Sequence, residues 1–323
     1  MKRLIILQVT LITAFVFGLS TDCFAARKVI PIYTPGAGGT AYILGGGMAS
    51  ILNKYIPNVQ MMVEAVGGTT PTVKFIGEKF EKKQEVFGIS TSDGIYYGYT
   101  GQKPFDKPFP MLRGVTFLYG ARSYLVVPAK SPINSYYDLK EKRVGVGAAG
   151  SGISEINMKL VEAHGIKVEM YKRLWLGYME VVQGIKDGSI DAGFLAGAYP
   201  IPAYRELSLV KDVRIIPADE VVLEKIIKGS PYFFKAMVKA GSYKGVDKDI
   251  PILGYGIILE THSAVDAELV YNILKVLFEH REELVAVHPS AKEMTYESAL
   301  FSIAIPLHPG AEKYFKEVGV LKK

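Results

Sequence analysis

The sequence predicts an α/β protein built as two lobes, on three observations. Short β-branched runs alternate with longer amphipathic stretches along most of the chain, the pattern of mostly parallel sheets covered by helices. A glycine-rich segment, Pro35-Gly36-Ala37-Gly38-Gly39-Thr40, stands where an early strand should turn into a helix. A second, Gly145-Val146-Gly147-Ala148-Ala149-Gly150-Ser151-Gly152, stands at a similar point of the later half. Glycine lets backbone approach a ligand closely, and a helix start offers free N–H donors and the positive end of a dipole. Each segment is therefore a candidate anion cradle. The pair suggests two lobes facing one small anionic molecule.

The chain begins with Lys2 and Arg3, then an apolar run over 4–19 broken only by Gln8, Thr10 and Thr13, then Cys23-Phe24-Ala25. That layout predicts a signal peptide, residues 1–25, cleaved after Ala25 and directing export. The run is short and interrupted for a membrane span. Ser20-Thr21-Asp22 lacks the apolar residue expected before a lipidated Cys23. Cleavage removes the sole cysteine, which excludes disulfides and cysteine ligands from the rest of the chain.

Strands are expected at 28–33, 59–63, 86–90, 124–127, 143–146, 168–171, 192–195 and 213–216, with helices at 41–55, 70–80, 154–164, 179–186 and 202–209 between them. The last sixty or so residues read as mostly helical, most clearly over 266–279. Around 120–135 the strand–glycine loop–helix theme restarts, and a second long strand-like run covers 252–260. Runs 124–128 and 252–260 are candidate hinge strands. They divide the chain into one lobe of 26–123 plus 262–323 and another of 124–261.

The net charge of +6 is dispersed, with no run of five like charges. This is a solvated surface with a mild preference for anions and not a nucleic-acid stripe. Gly145, Gly147 and Gly150 match a dinucleotide fingerprint, with Glu169 at the expected distance. Ser151-Gly152 then prolongs the loop past the point where the helix should have begun, and export removes the protein from cytosolic NAD. The five histidines form no H-E-x-x-H or short metal-binding pair. Ser151 is flanked by Gly150 and Gly152 but forms no G-x-S-x-G elbow, because Ala149 and Ile153 stand at its glycine positions, and Thr40 ends no P-loop. These readings predict no catalytic residue, no cofactor and no metal. Ser151 reads as a ligand donor or a helix cap.

Two further junctions share the chemistry of the glycine segments: Gly67-Gly68-Thr69-Thr70 and Ser90-Thr91-Ser92-Asp93-Gly94. Asp93 fits a helix N-cap, the favoured reading, or an acceptor for a ligand ammonium. Tyr42, one turn past Thr40, could reach the cleft with its hydroxyl. Trp175 and Tyr178 could form an apolar wall over a ligand, or core packing. His308 belongs to a local turn, with Pro309 opening a short helix that ends near Gly319.

Together these residues resemble the TAXI-type solute receptors of tripartite ATP-independent periplasmic (TRAP) transporters, over essentially the whole chain after residue 25. The markers are Gly38-Gly39-Thr40-Ala41-Tyr42 with Gly45; Gly67-Gly68-Thr69; Ser92-Asp93-Gly94; Asp138-Leu139-Lys140 leading into Arg143-Val144-Gly145-Val146-Gly147; Gly150-Ser151-Gly152; Asp187-Gly188-Ser189-Ile190-Asp191-Ala192; Pro200; and Ile305-Pro306-Leu307-His308-Pro309-Gly310-Ala311. The resemblance implies a two-lobed periplasmic binding protein fold, with two mixed or parallel sheets and a hinged cleft. Such a protein, not an enzyme, closes on a small organic acid or amino acid such as glutamate and delivers it to an integral-membrane TRAP permease; a monomer is the default expectation. Carried over, the ligand-binding positions are Gly39, Thr40 and Tyr42; Gly68 and Thr69; Ser92 and Asp93; and Gly150, Ser151 and Gly152, to which the residues add Tyr178. The family commonly has a hydroxyl where Ile153 stands, Asn where Thr72 stands and Gln where Thr91 stands, so ligand identity does not transfer. An ABC-type binding protein, a ligand-sensing receptor and a periplasmic enzyme on the same scaffold are the alternatives.

Overall fold

Two long strands organise the molecule, whose computed structural model describes residues 27–37 and 39–322. The expected signal peptide and Gly38 lie outside the described residues. β4 (Leu112–Pro128) has 17 residues, roughly 55 Å of extended chain. β10 (Ile250–His262) runs antiparallel to it, from His262 opposite Leu112 to Leu253 opposite Ser123. The pairing slips twice, between Ile257 and Ile258 and between Leu259 and Glu260. Such irregularities bend a strand and increase its twist.

On one flank of this pair, β1 (Lys28–Thr34) lies parallel between β2 (Val59–Ala65) and β3 (Phe87–Thr91), and β3 joins β10 through Thr91–Gly88 opposite Ile257–Glu260. On the other, β7 (Ala192–Ala198) pairs with β4 and carries the parallel strands β5 (Arg143–Gly147) and β6 (Lys172–Trp175). β8 (Val213–Ile216) pairs with β4, and β9 (Phe233–Val238) pairs with β10. Hydrogen bonding is thus continuous in the order β2-β1-β3-β10-β4-β7-β5-β6. The two expected sheets are one curled mixed sheet, because β4 and β10 are long enough to serve both ends. The runs expected at 124–128 and 252–260 are parts of these strands. Residues 257–260, expected in the second lobe, are hydrogen-bonded to β3.

Helices follow the parallel strands. α1 (Thr40–Tyr55), α2 (Thr69–Glu81) and α3 (Ser92–Thr100) succeed β1, β2 and β3. α4 (Gly152–Ala163) follows β5, and α5 (Tyr178–Asp187) follows β6. In α1 the buried residues Ala41, Leu44, Met48, Ile51 and Leu52 recur at helical spacing and cover Ile30 and Ile32 of β1. α6 (Pro202–Val210) and α7 (Glu220–Lys228) complete the later half. There Tyr124 and Val126 of β4 form a separate core with Val181 and Ile185 of α5 and Tyr204 and Leu207 of α6. The chain ends in α8 (Ala267–Glu279), α9 (Arg281–Val287) and α10 (Pro309–Glu317). Asp266 caps α8 by accepting from the Leu269 N–H at 2.8 Å. His308 Nδ1 accepts from the Gly310 N–H at 3.2 Å, making the predicted turn before Pro309.

Two local expectations change. Residues 168–171 were expected as a strand, but Val168–Met170 form a single 3-10 turn and the strand starts at Lys172. The Met170 carbonyl accepts from Glu141 N–H, and the Lys172 N–H donates to Lys142 O, so pairing with β5 begins only there. Strand β9 was not expected. Its Lys235 interrupts the apolar pattern, and its place is set by pairing with β10.

Candidate functional site

The second glycine segment is shaped by backbone that only glycine adopts cheaply. Gly147 has φ +116° and Gly150 φ +70°, both in the left-handed half of backbone space. These turns deliver Ser151 to the N-cap of α4, where its Oγ accepts from the Ser154 N–H at 3.2 Å and donates to the Ala148 carbonyl at 2.9 Å. Of the two expected roles of Ser151, the structure realises the cap. At the α2 junction Gly67 and Gly68 have φ +90° and +153°. The Thr72 hydroxyl donates to Gly68 O at 2.8 Å, so Thr72 is turned onto its own helix.

These two junctions touch. A Cβ built on Gly68 would lie 3.7 Å from Ser151 Cα and 3.8 Å from Gly150 O. A Cβ built on Gly152 would lie 3.1 Å from Thr91 Oγ1 and 3.4 Å from Thr69 Oγ1. The two threonine hydroxyls are 3.3 Å apart, and the Thr91 N–H donates to Thr69 Oγ1 at 3.1 Å. Gly94, in the first turn of α3, has room for no Cβ, since one would meet Thr69 Cγ2 at 2.5 Å. The N-termini of α2, α3 and α4 therefore meet at Thr69, Thr91 and Gly152, bringing three sets of helix-start amides and three positive dipole ends to one place. α4 is fixed there by Asn157, which accepts from Ser123 Oγ at 2.5 Å and donates to Val146 O at 2.8 Å.

Asp93 corrects a prediction. The N-cap of α3 is Thr91, not Asp93, which sits inside the first turn. It is 1% exposed, and its Oδ1 has no hydrogen-bond partner. Burial raises its carboxyl to about 6, while the Thr91 hydroxyl, the Gly94 and Asp93 amides and the charge of Lys159 pull it back. Ser92 is engaged structurally: its Oγ donates to Tyr232 O at 3.0 Å and accepts from the Gly256 N–H at 3.1 Å.

Tyr178 and Trp175 separate. Tyr178 opens α5 and turns toward Tyr119 of β4 and Tyr255 of β10, whose ionisation it opposes. Tyr255 is fully buried with no partner for its Oη, and it also feels Asp93. Trp175 points outward, 39% exposed, with the Arg173 guanidinium 4.5 Å from its ring centre. It forms no wall with Tyr178. Gly39 caps α1 without a side-chain bond, and Thr40 and Tyr42 are half-buried in its first turn. None of the three has a hydrogen bond linking it to the Thr69–Thr91–Gly152 junction among the described residues.

Several residues at the junction escaped the sequence reading. Lys159 of α4 donates to Tyr97 Oη of α3 at 2.7 Å and lies 5.3–5.7 Å from the ring centres of Tyr97, Tyr232 and Phe233. Tyr232 Oη donates to Tyr97 Oη at 3.2 Å. The only sequence signal was spacing, since Tyr97 lies one helical turn after Asp93. Tyr255 stands between Gly254 and Gly256, a pattern that by itself marks only a strand needing close approach. Among the described residues no cluster of three or more His, Cys, Asp or Glu could hold a metal ion, and no helix is long and apolar enough to cross a membrane.

Strands that meet helices at a cleft, with helix N-termini converging from both ends of a long shared strand pair, define a two-lobed α/β solute-binding fold. Solved structures with this fold include the periplasmic aliphatic sulphonate binding protein SsuA from Escherichia coli, 15% identical with a TM-score of 0.52, covering 90% of this chain and 83% of that one. XAC2383 from Xanthomonas citri, solved bound to ATP, is 11% identical with a TM-score of 0.52 over 91% of this chain and 97% of its own. A third, described as a periplasmic transporter, is 14% identical with a TM-score of 0.51 over 90% and 93% of the two chains. Residues 32–319 match the model of the NMT1-like family, and the chain belongs to that family.

Proposed function

We propose that this chain is the extracytoplasmic receptor of a TRAP transporter, capturing one small organic acid or amino acid between its lobes and handing it to the permease. The observation that carries this reading is the meeting of Gly68–Thr69 with Ser151–Gly152 beside Asp93. Donors from α2, α3 and α4 surround a ligand together only when the cleft is shut. A solute that binds them all shifts an open–closed equilibrium through that difference, and hinge closure is an established transition of this kind. The hinge would lie in β4 and β10, with 26–123 plus 262–323 and 124–261 as the approximate lobes. The aliphatic sulphonate binding protein SsuA and XAC2383, solved bound to ATP, share this fold and are associated with anions, which supports an acidic group on the solute. The ordered TAXI-like motifs, from Gly38-Gly39-Thr40 to His308-Pro309-Gly310, favour a TRAP permease over an ABC-type partner. The signal peptide expected at 1–25 supports a periplasmic location for the receptor.

Native mass spectrometry of freshly purified protein tests this directly. We expect one small non-covalent solute per chain, released on denaturation. Gly152→Val should abolish that adduct while the free variant stays folded, because its side chain would fill the space against Thr69 and Thr91 and hold the cleft open. A variant that keeps the solute with unchanged affinity contradicts the proposed site.

A further inference from the structure

A cavity of about 530 Å³ opens between α3 and α4, beside the junction of helix N-termini. α3 contributes Asp93 and Tyr97 to its lining, α4 contributes Glu155 and Lys159, and β6 contributes Arg173. Asp93 is the buried charged group among them, and its Oδ1 lacks a donor. The nearby cations do not supply one: Lys159 donates to Tyr97 Oη, and Arg173 stacks on Trp175 and donates to Met158 Sδ. Leaving a buried carboxylate oxygen unpaired is unfavourable. A pure anion seated on the neighbouring amides would add like-charge repulsion to that cost. A solute with an amine removes both problems, since its N–H groups pair with Oδ1 while its acidic group takes the helix starts.

We propose that this cavity is the second compartment of the solute site, and that the solute carries an amine that docks on Asp93 while its acidic group occupies the N-termini of α2 and α4. The proposal rests on the receptor reading and narrows it to amine-bearing, zwitterionic solutes. Diacids and sulphonates of the same length would be excluded. Specificity would then reside in Asp93 and Glu155, which face the cavity, and not in Trp175, which faces solvent.

The test compares melting temperatures with three amine-bearing probes (4-aminobutyrate, L-glutamine and L-lysine) and three without an amine (succinate, glutarate and 1-propanesulphonate). Ligand binding raises the melting temperature by mass action. At least one amine-bearing probe should raise it by several degrees, the amine-free probes should not, and Asp93→Asn should lose the shift. Should Asp93→Asn fail to fold, the wild-type protein supplies a second readout. The groups facing Asp93 are Lys159 and Glu155 of α4, Tyr97 of its own helix and Tyr255 of β10. With its carboxyl near 6, affinity for the amine probe should fall by up to about tenfold from pH 7 to pH 5 as Asp93 takes up a proton. Equal shifts with the diacids, an intact shift in Asp93→Asn, or no weakening at pH 5 overturns the amine assignment and leaves the receptor reading standing. No shift with any of the six contradicts the receptor reading and this proposal together.

Discussion

Glu260 shows at the scale of one residue how much polar chemistry the fold leaves unpaired in its interior. It lies fully buried on β10 opposite Gly88, both carboxylate oxygens without partners, with its methylene and the Thr72 and Ile76 side chains crowding the space above that glycine. Burial pushes its carboxyl up to about 8. A folded-state value above the unfolded one means that the native chain holds a proton which the unfolded chain has released. The cost is absent below about pH 4.5 and grows as pH rises toward 8. Glu260→Gln removes the titration. Relative to wild type, the variant should gain stability between pH 5 and pH 8, by on the order of a few kcal/mol. Chemical denaturation at both values measures this, and a variant-minus-wild-type difference that does not change with pH rules the assignment out.

Which residues were legible in the sequence follows from how local their chemistry is. Gly68, Thr69, Gly150, Ser151 and Gly152 announce themselves because a glycine turn before a helix is a short-range pattern, and the structure brings them together. Asp93 was legible as a polar residue at a helix start, but its burial was not, because burial is set by elements distant in sequence. Lys159 and Tyr255 gave no signal for the same reason. Each is ordinary in its own helix or strand and gains its distinctive neighbours only from elements distant in sequence.

At the scale of elements, α3 and α4 are joined by a lysine set among aromatic rings. Lys159 donates to Tyr97 and faces Tyr232 and Phe233, with no carboxylate in the bond. A partly desolvated ammonium over such rings contributes roughly 1–2 kcal/mol. In the proposed closure this contact forms as the cleft shuts, so Lys159→Met should speed dissociation of a bound solute by about tenfold and leave association little changed. Stopped-flow or surface-based kinetics reads the two rates separately, and an unaltered dissociation rate would show that the contact does not hold the cleft. Among elements, the regular alternation made most strands and helices readable, as at β8, which matches the expected 213–216. Residues 168–171 misled because β-branched and aromatic composition marks a strand without fixing where pairing starts. β9 was hidden because an edge strand with Lys235 at its centre owes its place to β10.

For the whole molecule, the central consequence of one sheet threaded by β4 and β10 is that the main-chain link between the two sides of the cleft runs through strands that can bend. Gly120 of β4 and Gly254 and Gly256 of β10 lie near the middle of that link, where Phe234 and Ser302 leave no room for a Cβ. Arg122 and Glu293 brace it from one side through a 3.0 Å ion pair, with Glu293 also accepting from the Gly120 N–H at 2.8 Å. Two sheets were expected because the resemblance implies them and the strand–glycine loop–helix theme restarts midway along the chain. It cannot show that a 17-residue strand belongs to both.

Cleft closure around a solute is the claim on which the rest depends, and a distance between the two sides measures it most directly. Cys23 is the sole cysteine and precedes the expected cleavage point, so spin labels can be placed through Lys74→Cys on α2 and Lys172→Cys on β6, both exposed positions. Pulsed electron resonance should give a short, narrow distance with a saturating solute that raises the melting temperature, and an added longer population without it. Identical distributions in the two conditions would contradict capture by closure.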